Sequence, residues 1–244
     1  MIRTFLAITA VFSLTACAEL QHATNQITQP QTSTSSNSGT SVLGNADIAA
    51  GLRQALDLGI EKQVTKLTKT DGFYKNDMVK ILLPKELQKV DKSLRSIGLG
   101  SLADEGLKVL NRAAEDAVKE ATPIFVDAVK DITFNDAKAI LTGSDDAATQ
   151  YLTSKTQTSL YDKFNPVIKN SFSKVGADKI WTNLINKYNT IPFTEAVNPD
   201  LTDYVTHEAL DGVYKMIAVE EKDIRTKYSY RSTDLLKKVF ALQD

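Results

Sequence analysis

From residue 48 onward, apolar residues recur mainly at steps of three and four positions, which is the period of an amphipathic helix. The first such segment follows Asp47, a residue type that favours helix N-termini. No stretch of convincing length alternates between apolar and polar residues, and no hairpin dipeptide separates β-branched runs. The pattern predicts an all-α, single-domain bundle of about eight or nine helices over residues 45–244.

Prolines and glycines predict where several of these helices begin and end. Pro84 is suited to the first turn of a helix, and Gly98 is placed to end that helix. Pro123 is expected to interrupt a long apolar pattern, and Pro166 is expected to break a later one. A further helical segment is predicted over residues 177–188.

The N-terminus has a different pattern, because residues 1–16 contain the features of a signal peptide. Arg3 precedes an apolar run over residues 5–14 (FLAITAVFSL) that is too short to span a bilayer. The following Leu14-Thr15-Ala16-Cys17 resembles the bacterial lipobox, in which small residues precede a cysteine that becomes lipidated. We predict cleavage after residue 16 and lipidation of Cys17, which is the sole cysteine of the sequence. An ordinary secretory signal with an incidental cysteine is the alternative.

Residues 17–44 are predicted to form a flexible polar linker after the lipidated cysteine. The stretch 29–41 carries no charge and no apolar side chain larger than that of Pro30, so it has little surface to bury. With two or more acyl chains, Cys17 would anchor the protein stably to a membrane. Because Ala18 rather than an aspartate follows Cys17, we expect the outer membrane of the cell envelope, with the domain facing the periplasm.

Charge and motif content narrow the possible functions. The 244 residues include 29 basic and 30 acidic ones, and the formal net charge of −1 gives no reason to expect nucleic acid as a partner. The sequence lacks the glycine-rich phosphate-binding motifs and the nucleophile elbow of hydrolases. We therefore predict no cofactor and favour a non-enzymatic protein.

His207 and Asp211 form one candidate site. On a helix these two residues lie one turn apart on the same face, where they could bind a metal or where the carboxylate could orient the imidazole. A metalloprotease motif would have a second histidine at the position of Asp211, so no metal site is predicted. The alternative is a polar pair on the surface of a helix.

Arg225 and Arg231 form a second candidate site. They lie between the last two predicted helices, where two guanidinium groups could bind a carboxylate or a phosphate. The alternative is structural: Arg225 would pair with Glu221, four residues earlier, and Arg231 would cap helix carbonyls or pair with another acid.

Several short motifs lie along residues 46–242. They are LNRAAEDA at 110–117, DAKAILTG at 136–143, AATQYL at 147–152, DYVT at 203–206, ALDG at 209–212, EEKDIR at 220–225, and residues 231–240. Together these motifs resemble domain-of-unknown-function family 4197, a group of bacterial and often lipoprotein-like helical proteins. The resemblance implies a helical fold and an envelope setting, and it implies no activity and no catalytic residues.

Three classes of function remain open. We favour a non-enzymatic envelope lipoprotein whose helical domain binds a partner protein of the envelope or a small apolar or anionic ligand. The second class is a structural or assembly factor of the outer membrane. The third is a metal-dependent hydrolase centred on His207, which would require several acids close to the imidazole in a cleft.

Overall fold

The computed structural model describes residues 44–241, except residues 97, 99, 180–181, 183–185, 187–188, 191, 194–195, 197 and 199. The described residues form α-helices and short 3-10 helices and include no β-strand, so the predicted all-α class is confirmed. The helices are α1 (Asn45–Leu67), α2 (Gln88–Ser96), α3 (Gly100–Ala117), α4 (Ala121–Lys130), α5 (Phe134–Leu141), α6 (Ala147–Lys174), α7 (Leu201–Thr226) and α8 (Asp234–Phe240).

The two longest helices of the second half, α6 and α7, pack against each other and form the centre of the bundle. Helices α3 and α4 pack against α6, while α1 contacts α4, α5, α7 and α8. The buried apolar residues of the described chain all lie between Ala49 and Phe240. A fragment of residues 42–244 therefore contains the whole described core, and it corresponds to one compact unit.

The irregular segment 68–84, between α1 and the first 3-10 helix, is held in place by side chains of α3. Asn111 is fully buried, accepts a hydrogen bond from the amide of Ile81 (2.8 Å) and donates one to its carbonyl (2.9 Å). Glu115 accepts the amide of Phe73 at 3.1 Å. These contacts give buried backbone groups the partners that regular secondary structure would otherwise provide.

The prolines and glycines predicted to mark helix ends mostly do so. Pro84 directly precedes the 3-10 helix Lys85–Leu87 that leads into α2, and Gly98 follows α2 with a left-handed φ of 81°. The interruption expected near Pro123 occurs slightly earlier, at the 3-10 helix Val118–Glu120. Pro123 then lies in the first turn of α4, where its missing N–H has no intrahelical acceptor to lose.

The expected break at Pro166 is wrong, because α6 continues through it to Lys174. Pro166 lies on the exposed side of α6, close to the fully buried Phe164 and Ile168. Water can satisfy a carbonyl that loses its partner on this side, while the two buried side chains anchor the helix on both sides of the proline. The burial of Phe164 and Ile168 therefore outweighs the local preference of the proline.

Residues 1–43, with the predicted signal peptide, Cys17 and most of the predicted linker, lie outside the described residues, as does part of the predicted segment 177–188. Within the described part of the chain, no helix combines the length and the apolar character that crossing a membrane requires.

Candidate functional site

Glu221, near the C-terminus of α7, caps the N-terminus of α6. The carboxylate accepts the amides of Ala148 (2.9 Å) and Thr149 (2.8 Å), and it also accepts the hydroxyl of Thr149 at 2.8 Å. The local N-cap residue, Asp146, makes no such side-chain bond. A residue distant in sequence therefore satisfies amides that a helix start leaves without partners, and its negative charge suits the helix dipole.

Arg225 lies one turn after Glu221 and binds the end of α5. Its Nη2 donates to the carbonyl of Ile140 at 2.8 Å, and its Nη1 donates to the carbonyl of Leu141 at 3.3 Å. It also donates to Glu221 from Nε (3.1 Å) and from Nη2 (2.8 Å). Only 6% of the arginine side chain and 5% of the glutamate side chain are exposed. A buried ion pair thus joins the end of α5 to the start of α6.

Glu220 connects the same part of α7 to α1. Its carboxylate accepts the ammonium of Lys62 at 2.6 Å and the side-chain amide of Gln63 at 2.7 Å. The consecutive acids Glu220 and Glu221 are both buried, and each points to a different neighbour. We call Glu220, Glu221 and Arg225 the α7 junction.

Arg231 caps the end of α7 itself. Its Nε donates to the carbonyl of Ile224 (3.1 Å), and its Nη2 donates to the carbonyl of Arg225 (2.9 Å). The guanidinium also lies 5.9 Å from the centre of the Phe240 ring. Arg225 and Arg231 are therefore close along the chain, and both have protein partners of the kind that the structural alternative predicts.

One face of the α7 junction borders a cavity of about 660 Å³, which we call the Arg225 cavity. Its volume falls within the range typical of small-molecule sites, and it is open to solvent, because most of its lining residues are exposed. It lies between the first turns of α1, the end of α5 and the end of α7. The lining residues are Ile48, Phe134, Lys138, Leu141, Thr142, Gly143, Asp145, Arg225 and Thr226.

The charges around this cavity differ in how well they are neutralised. Arg225 is paired with Glu221, and Asp145 lies 4.0 Å from the ammonium of Lys222. The field of Arg225 also extends beyond this pair. It contributes to the lowered pKa of Asp146, which is due first to a hydrogen bond from Ser144 and next to one from Gln150. The exposed ammonium of Lys138 has no acidic partner among the described residues.

His207 and Asp211 both lie on the exposed surface of α7. The imidazole Nε2 is 3.5 Å from Oδ1 of Asp203, one turn earlier, and the same oxygen accepts the hydroxyl of Tyr161 at 2.6 Å. The acid facing His207 is therefore Asp203 rather than Asp211, and about half of the imidazole is exposed. Next to His207 along the chain, burial raises the pKa of Glu208, and the negative charge of Asp211 adds to that shift. The described residues include no group of three or more His, Cys, Asp or Glu side chains that could hold a metal ion.

Two parts of the site have no signal in the sequence. Lys138 lies on α5, and only the fold brings its side chain to the same cavity as Arg225. Glu220 belongs to the charge-rich motif at 220–225, but nothing in that motif indicates that Glu220 is buried and paired with Lys62. A sequence signal does exist for Glu221, because an acid four residues before an arginine is a typical helical ion pair.

We predict that His207→Ala changes the free energy of unfolding by less than about 0.5 kcal/mol, because an exposed polar contact on a helix surface contributes little. Urea unfolding and metal analysis of the 42–244 fragment measure this, with Lys169→Ala on the exposed side of α6 as the control variant. Loss of a bound metal in the His207 variant alone would instead support the hydrolase hypothesis.

The comparisons with known proteins agree with the resemblance in the sequence. A family model described as "Protein of unknown function (DUF4197)" matches residues 42–241, which is most of the chain. No curated protein and no solved structure matches the chain. The buried polar contacts of Asn111, Glu115, Glu221 and Arg225 all lie within the matched range. The chain is therefore a member of the DUF4197 family of proteins of unknown function.

Proposed function

We propose that this protein is a lipid-anchored lipoprotein of the bacterial envelope whose helical domain binds a small ligand in the Arg225 cavity. The anchor is Cys17, and the expected location is the outer membrane, with the domain in the periplasm. The observation that carries the binding role is a cavity of about 660 Å³ lined by the buried Arg225 on one side and by apolar side chains on another.

The position of the cavity supports a binding role. Arg225 is fixed by four hydrogen bonds to Glu221 and to the end of α5. A site built on such restrained groups loses little conformational entropy when a ligand binds. Because the described residues offer no three-residue metal cluster, we favour binding over metal-dependent catalysis.

The lipid anchor is tested through Cys17. We predict that the wild-type chain in its bacterial host loses residues 1–16, carries acyl groups on Cys17 and partitions into the detergent phase. Cys17→Ala should abolish acylation because no other cysteine can accept the lipid. Mass spectrometry of the N-terminal peptide and detergent partitioning measure this, with Thr32→Ala in the predicted linker as control. Equal partitioning of the Cys17→Ala and wild-type proteins, with no acylated peptide, would contradict the proposal.

The binding role is tested by blocking the cavity. Native mass spectrometry of the 42–244 fragment, purified from its own host, should reveal an added mass that disappears on denaturation. Thr142 lines the cavity, and we predict that Thr142→Trp removes this mass, because the indole ring occupies part of the space that the ligand needs.

Thr68→Trp is the matched control. Thr68 and Thr142 each directly follow a helix, and each donates its hydroxyl to a carbonyl of that helix. Thr68 is not among the residues that line the cavity. Retention of the added mass in Thr68→Trp and its loss in Thr142→Trp would support the proposal. A bare wild-type fragment would contradict it and favour the second function, a structural or assembly factor that acts through protein contacts.

A further inference from the structure

The guanidinium of Arg225 has one donor that the protein does not use. A guanidinium carries five N–H groups. Four of these donate to Glu221, Ile140 and Leu141, which leaves one N–H on Nη1 without a partner among the described residues. The side chain is 6% exposed, and it is among the residues that line the cavity. An acceptor supplied by a ligand would satisfy this donor.

Lys138 provides a second donor to the same cavity, and its charge is not neutralised within the described chain. The one acid that lines the cavity, Asp145, has Lys222 as a counter-ion at 4.0 Å. The charge of Arg225 is balanced by Glu221. The described lining therefore has a positive balance due to Lys138, which favours an anion over a neutral or cationic group.

Three of the other lining residues are apolar. Ile48, Phe134 and Leu141 come from α1 and α5, and the first two are half-buried while Leu141 is buried. Burying an apolar chain against these residues would remove apolar surface from water, which favours binding. A cavity with hydrogen-bond donors on one side and apolar side chains on the other suits an amphiphile, which has a polar head and an apolar chain.

We propose that the Arg225 cavity binds a small amphiphile through its oxyanion head, which contacts Lys138 and the free N–H of Arg225, while its apolar part lies against Ile48, Phe134 and Leu141. This inference rests on the proposed binding function and adds the chemical class of the ligand. A free monocarboxylate and a phosphate-bearing lipid share this chemistry.

Calorimetric titration of the 42–244 fragment tests the head group. The probes are decanoate, decanol and decyltrimethylammonium, each below the concentration at which it aggregates. These probes share the same apolar chain and carry a negative, a neutral and a positive head. Decanoate should bind at least about tenfold more tightly than decanol, because charge-assisted hydrogen bonds are stronger than neutral ones. The cationic probe should bind most weakly. Equal binding of decanoate and decanol would overturn the inference.

Lys138→Gln tests the donor without disturbing the α7 junction. Its affinity for decanoate should fall roughly tenfold, while its affinity for decanol stays the same. Lys169→Gln is the matched control, because Lys169 is an exposed lysine that does not line the cavity. An equal loss in both lysine variants, or no loss in either, would overturn the role of Lys138.

The two proposals fail in distinguishable ways. If decanol and decanoate bind equally and Thr142→Trp abolishes both, the cavity binds ligands but does not select an oxyanion. If neither probe binds and the purified fragment carries no added mass, the binding function itself is wrong. If decanoate binds more tightly than decanol, decyl phosphate distinguishes the source of the head group: tighter binding than that of decanoate assigns a lipid phosphate, whereas weaker binding assigns a free carboxylate.

Discussion

Helix ends leave backbone amides and carbonyls without intrahelical partners, and where such ends are buried a side chain must supply them. In this bundle, one turn of α7 does so for two helices at once. Glu221 accepts amides at the start of α6, and Arg225 donates to carbonyls at the end of α5. The two charges match the dipoles of the helix ends that they contact, and each neutralises the other. The connection between α5 and α6 therefore depends on side chains more than 70 residues later in the chain.

This arrangement explains why the candidate site lies at the α7 junction. Burying an ion pair costs free energy unless further hydrogen bonds satisfy both groups, and the helix ends provide those bonds. Arg225 and the nearby Lys138 then line a cavity beside the same helix ends. A ligand would bind at a junction whose geometry is already set by folding, so that binding and stability share Arg225 but are separable through Lys138.

The fold class and many helix ends could be predicted from sequence because they depend on local periodicity and on prolines and glycines. The break predicted at Pro166 does not occur, because the burial of neighbouring side chains, which local sequence does not reveal, keeps the helix continuous. The structure places Asp203 beside His207, and sequence alone does not distinguish it from Asp211, because both acids lie four residues from His207 and the position of Tyr161 on α6 depends on the fold. The cavity is lined by residues from three separate segments of the chain, and a local sequence pattern cannot predict that these segments lie together. The family motifs at 110–117 and 220–225 supply Asn111, Glu115, Glu221 and Arg225, all of which hold buried backbone groups.

A double-mutant cycle between Glu221 and Arg225 tests most directly whether this pair joins the helices. Urea unfolding of the 42–244 fragment would be measured for the wild type, Glu221→Gln, Arg225→Met and the double variant. Each single change should lower the free energy of unfolding by roughly 3–5 kcal/mol, because it leaves a buried charge without its counter-ion. The double variant should lose less than the sum, by about 0.5–3 kcal/mol. Single losses below about 1 kcal/mol that add within about 0.3 kcal/mol would contradict the account, because they are the values of exposed, independent residues.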